Sequence, residues 1–204
     1  MADKITEWAK ALQSLAQAGL FYGKDVYDRE RYQRVRDIAA EMMAERTDLP
    51  MEKVKDLFCN DFGYQTPKVD TRAAIFNGSK ILLVRENKGT WSLPGGWCEF
   101  NLSPMDNAVK EAKEEAGLNV RPMRLIAVQD RDRHNRPPYA YGVVKIFYLC
   151  EALGGQFEAN SETTESGWFS LDELPPLAEE KNNREQIEMC FAAQADENWA
   201  ARFD

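Results

Sequence analysis

The chain has 204 residues, 44% of them hydrophobic and 29% charged, with 26 Lys and Arg against 34 Asp and Glu and a formal charge of −8. That length suffices for one domain, or one domain and a small accessory unit, with a real core. No apolar run nears the roughly 20 residues that a membrane-spanning helix needs, and an acidic chain without a long basic run is unsuited to nucleic acid. An anionic substrate would need a metal ion to bridge it to this protein. The N-terminal MADKITEWAKAL has no continuous apolar core of a signal peptide, so a cytoplasmic protein is expected. Cys59, Cys98, Cys150 and Cys190 lie far apart and read as reduced thiols, not a zinc site.

The first third predicts helices. Ile5, Trp8, Leu12 and Leu15 follow helical spacing, as do Val35, Ile38, Ala39 and Met42. A third helix is signalled by Asp48 as N-cap, Pro50 in the first turn, Val54, Leu57 and Phe58 as the buried stripe, and Gly63 past the end. Residues 1–66 are therefore expected to form a helical N-terminal domain, and 67–204 a second one.

After Pro67 the pattern changes. VDTRAAIFNGSKILLVRE predicts two strands joined through Asn77-Gly78, a dipeptide suited to the positive φ of a tight hairpin. MRLIAVQD and AYGVVKIFYLC are further strands, separated by a polar loop, RDRHNRPP, and REQIEMCFAAQ is a closing helix. Strands, a central helix, strands and a final helix predict an α/β fold with a mixed sheet between helices.

The central helix carries the chemistry. Ser103 is its expected N-cap, Pro104 its first residue, Asp106 the partner in a capping box and Gly117 its stop. Glu111, Glu114 and Glu115, at i, i+3 and i+4, share one sector, while Met105, Ala108, Val109, Ala112 and Ala116 form an apolar face. Three clustered carboxylates repel one another and suit a hard divalent cation, Mg²⁺ or Mn²⁺. The Gly95-Gly96 loop lets backbone approach the same place.

Gly96 and the run Lys110 to Leu118, KEAKEEAGL, resemble the signature of the Nudix hydrolase family: Gly, five residues, Glu, seven residues, Arg-Glu-hydrophobic-any-Glu-Glu-any-Gly-hydrophobic. The resemblance covers about residues 68–175, including SLPGG and ESGWFSLDELP, and implies an α/β/α sandwich. The helical front end and NLSP resemble a branch that cleaves nucleoside diphosphate derivatives such as ADP-ribose or CDP-choline. Two positions depart from the pattern: Leu102 stands where the family has its first Glu, and Lys110 where it has Arg. Glu99, three residues after Gly96, is the nearest substitute carboxylate.

The resemblance implies metal-dependent hydrolysis of a nucleoside diphosphate linked to X, giving a nucleoside monophosphate and phosphorylated X. Glu111, Glu114, Glu115 and Glu99 are the expected metal ligands, with Glu114 counted among the catalytic carboxylates too. Related enzymes draw a base from the loop held here by NSETTESGW, which nominates Glu165 first and Glu162 second. Arg72, Arg85 and Arg131 are candidates for substrate phosphates, Trp97 for stacking on substrate, Trp91 for the core, and His134 for an exposed structural place. A homodimer built with the N-terminal helices is expected. Leu102 and Lys110 also admit a degenerate nucleotide sensor, and the same motif serves enzymes that cleave nucleoside triphosphates.

Overall fold

A computed structural model of the chain describes residues 4–47 and 50–204, so Asp48, the expected cap, lies outside the described residues. The chain divides into two units, Met1–Pro67 with Pro138–Gly142, and Lys68–Pro137 with Val143–Asp204.

The first unit holds α1 (Lys4–Tyr22), α2 (Val26–Ala44) and α3 (Met51–Phe58). Asp25 caps α2 by accepting from the backbone N–H groups of Tyr27 and Asp28. Ala9, Ala39, Ala40, Met43, Val54 and Phe58 form its core, with Ala140 packed against them. The buried stripes differ from those expected. Trp8 and Leu15 are 58% and 66% exposed and Ile38 and Leu57 also face outward, while α1 buries Thr6, Ala9, Gln13, Ala16 and Gln17. The cause is local: alanines allow close helix approach, and the two glutamines are satisfied inside. Gln13 donates to Gln17 at 3.2 Å, and Gln17 donates to the Gly63 carbonyl at 3.2 Å. The large side chains are left on the outer face.

The second unit is built on β1 (Lys68–Asn77), β2 (Lys80–Glu86), β3 (Trp91–Ser92), α4 (Pro104–Ala116), β4 (Leu118–Asp130), α5 (Arg131–His134), β5 (Val143–Gly155), β6 (Thr163–Phe169), α6 (Arg184–Ala195) and β7 (Arg202–Phe203). Among the described residues the strands form one mixed sheet in the order β3-β2-β1-β5-β4-β7, with β6 also on β2. β1 runs parallel to β5 and β4 parallel to β7; the other pairs are antiparallel. Buried residues are consecutive in β1 and β2, as a sheet covered on both faces requires. Ala73, Ile75, Leu82 and Val84 meet Ala112 and Ala116 of α4; Ala74, Ile81, Leu83 and Phe147 meet Ile187, Cys190 and Ala193 of α6. The α/β/α sandwich is therefore present.

Three local readings shift. The hairpin turn is Gly78-Ser79, because Asn77 pairs with Lys80. Only Gly78 has positive φ, which is the demand of a turn with Gly in its first central position. RDRHNRPP begins with the short helix α5, and the loop expected around Glu165 is largely strand β6. The four cysteines are free, with Cys150 and Cys190 buried. No helix among the described residues is long and apolar enough to cross a membrane.

Candidate active site

The glycine loop is stapled to β1. The Thr71 and Ala73 N–H groups donate to the carbonyls of Gly96 and Pro94, each at 2.9 Å, and the Arg72 guanidinium donates to the Leu93 carbonyl at 3.2 Å. From the other side the Leu93 N–H donates to Asn182 Oδ1 at 2.9 Å. Gly95 has φ of +146°, and a Cβ there would lie 1.9 Å from the Thr71 carbonyl oxygen; only glycine fits. This fixes the Gly95 N–H, which donates to Glu115 Oε2 at 2.8 Å.

α4 starts and stops as its sequence predicts. Ser103 accepts from the Asp106 N–H, Pro104 occupies the first turn and Gly117 closes the helix with φ of +70°. The capping box is incomplete, because Asp106 Oδ2 accepts from the Ser103 hydroxyl at 2.7 Å. The helix also carries Asn107, fully buried, which donates to Thr71 Oγ1 at 2.9 Å and accepts from the Glu99 N–H at 3.1 Å. Asn107 thus anchors the loop that presents Glu99.

The three glutamates split. Glu111 and Glu115, one turn apart, are 8% and 4% exposed, whereas Glu114 faces solvent. Burial pushes the Glu115 carboxyl up to about 7, against the opposing pull of Arg72, the Gly95 N–H and Lys181. Burial raises Glu111 too, with Lys110 opposing and Glu114 adding repulsion. Gly96 abuts Glu111: a Cβ there would lie 3.2 Å from Glu111 Oε2. The C-terminal end of α4 is held from β6 and the loop before it. Thr163 donates to the Glu115 carbonyl at 2.8 Å, and Asn160 to the Glu114 carbonyl at 2.9 Å.

Lys110 gathers three acids. Its ammonium lies 2.5 Å from Glu114, 3.2 Å from Glu99 and 3.6 Å from Glu111, and the Glu114 bond raises its proton affinity further. Among the described residues no three acidic, histidine or cysteine groups already converge as a metal site, since Glu99 and Glu114 turn to Lys110 and Glu115 to Gly95. The donor set nevertheless fits a hard divalent cation. It offers carboxylate oxygens only, two of them buried with their charge disfavoured, and it already collects around a cation. Leu102 brings no oxygen from its side chain; its N–H donates to the Glu99 carbonyl at 3.1 Å, closing the turn that carries Glu99 toward Lys110.

Glu165 and Glu162 differ in surroundings. Glu165 sits on β6 opposite Arg85 and pairs with it at 3.4 Å, both exposed. Glu162 precedes the strand and acts electrostatically on Glu111. Arg72 and Arg131, expected to reach substrate phosphates, both lie in the interior. Arg72 is nearly fully enclosed and forks onto Asp70 at 2.6 and 3.0 Å. Arg131 is enclosed as well and bonds the Pro137 carbonyl at 2.7 Å and Asp132 at 3.0 Å. Trp91 is core, edge-on to Phe169, and Trp97 is 45% exposed. His134 meets Asp204 at 2.8 Å.

Residues that pattern reading passes over complete the site. Lys145 pairs with Asp70 at 2.6 Å in the interior. Burial and Arg72 pull the Lys145 ammonium down to about 8. Burial alone would raise Asp70, but Arg72 and Lys145 outweigh it and hold it below the usual range. Lys181 pairs with Glu86 at 2.6 Å, and Ser92 donates to the same carboxylate at 2.7 Å. The available signals are charged residues inside apolar strands, Asp70, Arg72 and Lys145; nothing local marks Lys181 or Asn182.

Comparison with known proteins agrees with this geometry. A family model described as "UDP-X-like, N-terminal oligomerisation domain" matches residues 3–58, and the NUDIX domain model matches residues 66–190. A Bacillus subtilis (strain 168) protein named "Putative ADP-ribose pyrophosphatase YjhB" is 47% identical over 189 residues, 92% of this chain and 91% of that protein. The crystal structure of an ADP-ribose pyrophosphatase from Streptococcus suis is 55% identical with a TM-score of 0.64, covering 68% of this chain and all of that one. That of a UDP-X diphosphatase is 33% identical with a TM-score of 0.63, covering 98% of both chains. With a NUDIX model over more than half its length, on the expected sandwich and behind an N-terminal helical domain, the chain belongs to the Nudix family and is a Nudix pyrophosphohydrolase.

Proposed function

We propose that the protein hydrolyses the diphosphate bond of a nucleoside diphosphate linked to X, of the ADP-ribose or CDP-choline type, releasing a nucleoside monophosphate and phosphorylated X. The observation that carries this is the pair of buried carboxylates, Glu111 and Glu115, set against a glycine loop that donates an N–H to one of them. Relatives named for ADP-ribose and UDP-X cleavage support it. Glu111 and Glu115, with Glu114 and Glu99, would hold Mg²⁺ or Mn²⁺. A bound divalent cation supplies charge neutralisation for the diphosphate and activation of water.

The chain's own residues do the rest. Arg72 and Lys181 offset part of the cost of two adjacent buried anions. Gly95 fixes one carboxylate oxygen of Glu115, so the pair is oriented before substrate arrives. Glu162, whose charge acts on Glu111, takes the proton from the attacking water, while Glu165 is paired with Arg85. Arg85, whose side chain is exposed near the end of β2 beside Glu165, is the arginine suited to a substrate phosphate, and Trp97 offers a face for the base.

The working form is a homodimer assembled through the first unit. Trp8, Leu15 and Tyr22 repeat every seven residues along the outer side of α1, all exposed, in a region matching a family model described as an oligomerisation domain. A Trp8→Asp/Leu15→Asp variant should elute as a monomer by light scattering; an unchanged mass would refute this interface. The reaction is tested with ADP-ribose, CDP-choline, nucleotide sugars and nucleoside triphosphates, each with Mg²⁺, Mn²⁺ or EDTA. Cleavage of triphosphates alone would refute the proposed substrate class, and binding without any cleavage would mark a sensor.

A further inference from the structure

Asparagine is an unfavourable residue inside a helix, because its side chain competes for main-chain bonds and suits helix ends and turns instead. Asn107 nevertheless lies inside α4 and is fully buried. Its two amide ends face different elements. Nδ2 donates to Thr71 Oγ1 on β1 at 2.9 Å, and Oδ1 accepts from the Glu99 N–H at 3.1 Å. The orientation is forced, since a main-chain N–H only donates and must meet the amide oxygen. Asn107 thereby joins helix, strand and glycine loop in one bridge.

The neighbouring elements are already held without it. Ala112 and Ala116 pack α4 on the sheet. The glycine loop is tied to β1 by main chain alone, the Thr71 N–H donating to the Gly96 carbonyl at 2.9 Å and the Cys98 N–H to the Val69 carbonyl at 2.8 Å. Those bonds end at Cys98. At the next residue both main-chain groups are held from elsewhere: the Glu99 N–H by Asn107, and the Glu99 carbonyl by the Leu102 N–H at 3.1 Å.

The bridge therefore fixes where Glu99 stands relative to the helix carboxylates. Asn107, Glu111 and Glu115 follow at four-residue spacing, so they form one row along α4, and all three are buried. Asn107 heads that row and holds the Glu99 main chain there. The Glu99 carboxylate lies 3.2 Å from the Lys110 ammonium, and Glu111 lies 3.6 Å from the same nitrogen. A carboxylate carried on a loop loses main-chain freedom when it binds, and a main chain fixed beforehand removes that part of the cost.

We infer that Asn107 is a positioning residue. Through the Glu99 main chain it sets the Glu99 carboxylate beside Glu111, where both would hold the divalent cation. Asn107 itself touches neither cation nor substrate. The inference rests on the metal-dependent hydrolysis proposed above.

The test is the Mn²⁺ affinity of the full-length protein, read from the electron paramagnetic resonance signal of free Mn²⁺. It compares the parent, Asn107→Ala, Glu99→Gln and the double variant, each below its melting temperature. Each single substitution should weaken Mn²⁺ binding at least about tenfold, the scale on which bonds that orient a metal ligand act. The double variant should bind within about threefold of Glu99→Gln, because the support has no carboxylate left to place. Stability should behave otherwise: in EDTA, Asn107→Ala should lower the melting temperature equally with Glu or Gln at position 99. Asn107→Leu, of similar size and better suited to a helix, should weaken Mn²⁺ binding as the alanine form does, and it replaces that form if alanine does not fold. Losses that multiply in the double variant, or parental affinity in either Asn107 variant, would overturn the positioning role. Parental affinity in Glu99→Gln would overturn it too, by removing the ligand that Asn107 is held to place. No Mn²⁺ binding by the parent would contradict the metal-dependent reading itself, an outcome distinct from these.

Discussion

The Glu115→Gln variant should be more stable than the parent protein and nearly inactive. Glu115 is 4% exposed and its carboxyl is raised from an ordinary 4.5 to about 7, burial being the main cause. At 1.36 kcal/mol per tenfold change in proton affinity, ionising it in the fold costs about 3 kcal/mol relative to the unfolded chain. The sign follows from which state binds the proton more tightly. Below pH 4.5 both states are protonated and there is no penalty; from 4.5 to 7 the unfolded chain ionises first and the penalty grows; above 7 it is complete. Glutamine keeps the acceptor for the Gly95 N–H and removes the charge. In EDTA at pH 8 the variant should melt about 6–12 °C higher, at about 2–4 °C per kcal/mol for a protein of this size, and the gap should close below pH 4.5. Adding Mg²⁺ or Mn²⁺ should raise the melting temperature of the parent more than that of the variant, whose kcat should be lower by at least about 10²-fold. Equal melting temperatures at pH 8, or a variant less stable than the parent, would refute the claim that this carboxylate is held at a cost.

Other substitutions probe the supports. Asp70→Asn leaves Arg72 and Lys145 buried without their shared carboxylate and should cost about 3–5 kcal/mol in urea denaturation; a loss below about 1 kcal/mol would contradict the network. Gly95→Ala forces a side chain against the Thr71 carbonyl at φ of +146° and should cost at least about 1–3 kcal/mol, with activity falling as the N–H leaves Glu115. Glu162→Gln should reduce kcat about 10²-fold, while Glu165→Gln, which breaks only an exposed pair with Arg85, should stay within about threefold. The reverse order would return the base to Glu165.

Features set by neighbouring residues were legible in the chain. Ser103, Pro104 and Gly117 bound the glutamate helix as their types require, and the closing helix and the main strands fall where apolar period and turn residues place them. The motif beginning at Gly96 led to the family because its spacing is fixed by the loop-to-helix geometry. What remained hidden depends on distant partners. That Glu111 and Glu115 turn inward while Glu114 turns out follows from packing of α4 on the sheet, which helical periodicity alone does not orient. Lys145 finds Asp70 across 75 positions, Asn182 finds Leu93 across 89, and Lys181 finds Glu86 across 95. In the helical unit, periodicity found the helices but not their inner faces. Satisfied glutamines went inside and tryptophan and leucine stayed out, the opposite of a hydropathy reading.

The most direct measurement is product analysis of ADP-ribose incubated with the full-length protein, with Mg²⁺, with EDTA, and with Glu115→Gln in place of the parent. The account predicts AMP and ribose phosphate in equal amounts with Mg²⁺, neither product in EDTA, and at least about 10²-fold slower release by the variant. Cleavage that persists in EDTA, near-normal turnover by Glu115→Gln, or ADP-ribose bound and recovered intact would contradict it.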